Sequence, residues 1–143
     1  MESPEQRPRQ ENRINTVETR EGLESIIHIL REAAERFSSL DKEAKVLLYE
    51  RKDSKGYAEK LKERGQLLVD LPNRLAGILT NLDSETKQQV ADRVFGFATE
   101  AQEWIEKENM FGLGVLLTHM GSEAGEKNDL EKLIESLDSK QPL

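Results

Sequence analysis

Apolar side chains in this chain recur at intervals of three and four residues, and that spacing commits it to helices. The first run is Leu23, Ile26, Ile27, Leu30, Ala33, Ala34 and Phe37, a stripe along one face of a 3.6-residue helix. Ile29 lies outside that stripe, so this turn is apolar over a wide arc. Comparable runs follow, through Val90, Val94, Phe97, Ala98, Ala101, Trp104 and Ile105, and through Leu130, Leu133, Ile134 and Leu137. Composition agrees: Ala, Glu, Lys, Leu and Arg make up about half of the 143 residues, as in long helices and coiled coils. The β-branched residues are few, which disfavours a sheet.

Breaks in the pattern divide the chain into three long helices, about 14–38, 41–70 and 83–108, and shorter ones near 73–82, 113–120 and 128–137. Leu40 and Asp41 are read as the first break, with Asp41 capping the second helix. The second helix keeps a steady apolar phase past Asp53–Gly56, so it is expected to be continuous. The turn signal Asp53-Ser54-Lys55-Gly56 is the competing reading. Pro72 is expected to end this helix and open a short one. Asp83 or Ser84 caps the third, with Glu85 in its first turn, and Asn109 is read as its C-cap. Residues 1–13 read as a disordered tail, 14–138 as one all-α elongated bundle domain and 139–143 as a frayed end. In Phe111–Gly121, Gly112 and Gly114 suit close helix packing, with a hinge as the other reading.

Several function classes are excluded or disfavoured by content. There is no cysteine, so disulfides, cysteine–zinc sites and thiol nucleophiles are ruled out. The most apolar stretch, Met110–Met120, falls short of the ~20 residues a membrane span needs. The polar start, Met1–Arg13, lacks an apolar signal core. A cytoplasmic location is expected. The formal net charge of −7 opposes coating of nucleic acid. The charge is uneven: Lys42–Arg64 is rich in bases and Glu100–Asp138 in acids, so opposite ends can attract one another between copies.

Candidate chemistry is sparse. Glu32-x-x-Glu35 and Glu50-x-x-Asp53 each place two carboxylates on one helix face, as Mg²⁺ coordination requires. This resembles the arrangement of the all-α nucleotide pyrophosphohydrolases, which implies Mg²⁺-dependent hydrolysis as an alternative function. The family's second pair lies in an apolar helix, whereas here it reads Glu50-Arg51-Lys52-Asp53-Ser54-Lys55. Glu24, His28 and Glu32 form an i, i+4, i+8 line on the solvent side of the first helix. The only other histidine, His119, has no nucleophile turn beside it. The basic run through Lys42, Lys45, Arg51, Lys52, Lys55, Lys60, Lys62 and Arg64 is interleaved with acids, leaving nucleic-acid binding a second alternative. The leading expectation is a non-enzymatic protein–protein interaction module without cofactor, metal or catalytic residues. Its contact surface is placed at Trp104, Phe111, Leu113, Leu117 and Met120, with core burial of this apolar cluster as the competing reading, and it is expected to form a homodimer or higher oligomer.

Overall fold

Three long stripes with a shared apolar face can hide them only against one another, and an antiparallel bundle is the result. The structure is a computed structural model and describes residues 6–118 and 127–140. Helix α1 spans Gln6–Lys45 and runs into a single π turn, Val46–Glu50. Helix α2 spans Ser54–Leu79, α3 Ser84–Glu106, α4 Met110–Gly114 and α5 Asp129–Asp138. No strand occurs among the described residues.

Cross-links between helices fix the topology. Along α1 and α2, Glu32 pairs with Arg74 at 3.3 Å, Arg36 with Glu63 at 3.0 Å and Asp41 with Arg64 at 2.7 Å. Rising numbers on one helix meet falling numbers on the other, so the two are antiparallel. Helix α3 returns along α2. Helix α5 lies between α1 and α3: Arg31 pairs with Asp138 at 3.1 Å, and Gln89 donates to the Ser136 hydroxyl at 2.9 Å. The bundle therefore runs up, down, up, down. Its fourth helix has 10 residues against 23 in α3. At about 1.5 Å per residue it covers less than half of that length. Helix α4 and the turn after it close the other end, where Leu113, Leu116 and Leu117 are buried. The core runs through all five α-helices, from Leu23 and Ile26 in α1 to Leu133 and Leu137 in α5.

Several boundaries differ from the sequence reading, each for an identifiable reason. There is no break at Leu40–Asp41. Leu40 and Ala44 continue the buried stripe of α1, and Asp41 accepts a hydrogen bond from Arg64 instead of capping a helix. The expected 41–70 helix is broken at Arg51–Asp53, where Lys52 takes a left-handed φ of 56°. Asp53 caps α2 by accepting the Gly56 N–H at 2.8 Å. The phase survives this reversal because both halves face one core, so periodicity alone does not separate a rod from a hairpin. Pro72 does not end a helix. It sits inside α2, held between buried Leu71 and Leu75, and the expected 73–82 helix is the continuation of α2 to Leu79. The third helix starts as read, with the Asp83 carboxylate accepting the Thr86 N–H at 3.2 Å.

Further along the chain, Asn109 opens α4 instead of closing α3, and the left-handed turn falls on Glu108 with φ 51°. The helix expected at 113–120 begins earlier and stops at Gly114. His119 and Met120 lie outside the described residues. Helix α5 carries a full capping box, Asn128 with Glu131, near the expected start. Residues 6–13 of the expected tail are helical, and residues 1–5 and 141–143 lie outside the described residues.

Candidate functional site

The end of the bundle closed by α4 concentrates the features that packing alone does not explain. Helix α4 is short, and four interactions hold it in place. Asn109 accepts the Gly112 N–H at 2.9 Å. Gly112 lies flat on the Trp104 indole, and a Cβ there would come within 2.3 Å of the ring. Only glycine allows so close an approach, which is the packing reading of this residue. Leu113 fills the space left by Gly65, where an added Cβ would meet its Cδ2 at 2.9 Å. The fourth hold is Arg64.

Arg64 is 3% exposed, yet it carries a charge. Its Nη1 donates to Asp41 at 2.7 Å, and its Nη2 to the carbonyls of Leu113 at 3.1 Å and Gly114 at 3.2 Å. The guanidinium also stacks on the Phe37 ring, 4.2 Å from its centroid. Burial pulls its pKa below the ordinary arginine value, and Asp41 opposes that pull. One side chain thus ties α1 to α2 and neutralises the carbonyls at the C-terminal end of α4. Lys45 joins Asp41 from the rim at 2.9 Å. A cleft of about 310 Å³ opens beside this group, with Thr118, Asn128 and Glu131 on its far wall. The cations at its mouth are already paired with Asp41.

With its inner side fixed, α4 turns its outer side to solvent. Phe111 is 79% exposed and Val115, four residues on, is 38% exposed. Val115 is the C-cap of α4, and its N–H donates to the Phe111 carbonyl at 3.2 Å. No family model matches this chain, and no curated protein or solved structure matches it either.

The structure divides the five residues assigned to the contact surface. Phe111 is at the surface. Trp104 is half-buried, with Lys107 5.7 Å from its ring centroid on one side and Gly112 on the other. Leu113 and Leu117 are core side chains and not surface ones, because the turn after α4 folds back and the Leu117 carbonyl accepts the Asp129 N–H at 2.8 Å. Met120 lies outside the described residues.

The carboxylate constellation does not assemble. Glu35 and Glu50 lie 15 residues apart on one unbroken helical path, about 22 Å along its axis. Glu32 is engaged by His28 at 3.0 Å and by Arg74. Asp53 is committed to its cap. His28 is exposed, and its contact with Glu32 is a surface i, i+4 pair. Among the described residues, no three His, Cys, Asp or Glu side chains gather as a metal site. No described helix is long and apolar enough to cross a membrane.

In sequence Arg64 closes the exposed basic run, which hides its buried role. A signal was present: Arg64 stands three residues after Leu61 and four before Leu68, on the buried stripe of α2. A charge in that register needs partners within the fold.

Proposed function

We propose that this protein is a non-enzymatic interaction module that docks onto other proteins through the outer face of α4. The observation that carries the reading is the exposure of Phe111 on a helix whose other side is fixed by Asn109, Gly112 and Arg64, with half-exposed Val115 at the C-cap just beyond it. A five-residue helix has little stability of its own. Here a buried arginine, a glycine fitted to an indole and a cap are spent on holding one in place. What they achieve is a fixed apolar anchor in water, and burial of an aromatic anchor is worth about 1.5–3 kcal/mol to an association. Aromatic side chains of this kind dominate contact energetics when a partner covers them. Because the anchor is pre-ordered, little conformational entropy is lost on docking.

The test is capture from an extract of the native host by immobilised full-length chain and by its Phe111→Ser variant. A protein retained by the first and lost by the second supports the reading. An identical retained set, with the variant still folded, contradicts it.

A further inference from the structure

We infer that the partner of the α4 face is a second copy of this chain, with Phe111 of each copy seated in a basic-rimmed groove at the α1–α2 turn of the other, an inference that rests on the reading of α4 as a docking face. The groove has a volume of about 370 Å³. It is shallow and lined by Val46 and Leu47 with three bases, Lys42, Arg51 and Lys60, and one acid, Glu43; Lys60 is paired with Glu63 at 3.6 Å and Glu43 with Arg36 at 3.5 Å. Val46 is 40% exposed, and neighbouring Tyr49 is exposed as well. Its shape depends on the π turn. The Arg51 N–H reaches back to the Val46 carbonyl at 3.2 Å, and the Asp53 N–H to that of Leu47 at 2.8 Å. Left-handed Lys52 then reverses the chain. Such π turns are uncommon and concentrate at functional positions.

Charge identifies the occupant. The chain is acidic overall, yet this groove is bordered by bases. The segment leading to Phe111 is its opposite. Glu100, Glu103, Glu106 and Glu108 are all exposed there, and the one base among them, Lys107, is engaged by Glu103 at 2.6 Å. An apolar anchor that follows an acidic helix end is thus matched to an apolar groove with three bases in its lining, which is complementarity in both polarity and charge. The two surfaces share one end of the bundle. Arg64, one turn along α2 from Lys60 at the groove, holds the α4 carbonyls. A two-fold axis at that end lets each copy give its anchor and receive the other's, so the contact is made twice. A phosphate backbone fits the groove less well, because it has no apolar group to set against Val46 and Leu47.

Sedimentation of the full chain tests this with two double variants. In one, Arg51→Glu with Lys60→Glu, the groove becomes acidic. In the other, Glu103→Lys with Glu106→Lys, the border of the anchor becomes basic. The wild type is expected to sediment as a dimer at about 0.05 M salt, and to weaken roughly tenfold at about 0.5 M salt. Each double variant alone is expected to be a monomer with unchanged helical circular dichroism. An equimolar mixture of the two restores a dimer, since both contacts are again between opposite charges. A wild-type chain that stays monomeric at about 100 µM and low salt overturns the inference. So does a dimer indifferent to both variants, or a monomer whose groove binds a nucleic-acid duplex instead. If the wild type is monomeric but Phe111→Ser still releases a captured host protein, only the identity of the partner fails and the docking face stands.

Discussion

Arg64 shows how one residue sets the geometry of a surface it does not reach. Its hydrogen bonds to Asp41, Leu113 and Gly114 link α1, α2 and α4, so loss of its partner is felt at the site. Asp41→Ala leaves a buried guanidinium without its carboxylate. Asp41 is about one-third exposed, so the cost falls below that of a fully buried pair. A loss of about 2 kcal/mol is expected, read from urea unfolding. Arg64→Lys is expected to recover little, because an ammonium lacks the planar fork that reaches three acceptors. Gly112→Ala places a methyl group inside the Trp104 ring contact. A loss of about 1–3 kcal/mol and a shift in the emission of the single tryptophan are expected, and fluorescence-monitored unfolding reads both. At this scale the sequence was partly legible. Phe111 was marked as a surface candidate and lies in solvent. Leu113 and Leu117 were marked with it and are core, since a short apolar run does not reveal which side of a five-residue helix faces inward.

Elements were legible where caps and stripes agreed. Helices α3 and α5 begin within a residue or two of the expected positions, because Asp83 and Asn128 bond the next turn and the apolar stripe follows at once. At Asp41 and Pro72 local rules lost to packing, whereas at Asp53 the local turn signal prevailed over the continuous apolar phase. Pro72 is a helix breaker by its own chemistry, but α2 buries Leu68, Leu71 and Leu75 around it and the helix continues. That continuity has a cost, since proline lacks a donor and its ring crowds the preceding turn. Pro72→Ala is expected to stabilise the fold by about 2 kcal/mol, after allowance for the freer unfolded chain, and thermal melting reads the gain. The Asp83 cap carries a pH dependence. Hydrogen bonding from Thr86 holds its carboxyl below the usual carboxylate range, so the charged form is the stabilising one. Its contribution is therefore complete above the ordinary value near pH ~4, and is lost as pH falls through the lowered folded value. Melts between about pH 6 and pH 3 should show a steeper decline for the wild type than for Asp83→Asn, which keeps a cap without titrating.

At the scale of the molecule, the all-α bundle was readable because apolar spacing and composition agree throughout. The reversal near residue 51 was legible only as the competing turn reading at Asp53–Gly56, because a π turn with one left-handed lysine preserves the apolar phase while reversing the path. That reversal matters for the site. The unbroken path from α1 through the π turn keeps the carboxylates of the hydrolase-like pattern apart, and the reversal after it forms the groove at the end shared with α4. The central claim is that Phe111 serves contact and not folding. The most direct measurement is the Phe111→Ser variant, followed for thermal stability and for association in the same samples. A side chain this exposed contributes little to the core. A melting temperature within about 2 °C of wild type, together with loss of association, is the result expected. A melting temperature lowered by several degrees, or association that persists undiminished, would contradict the account.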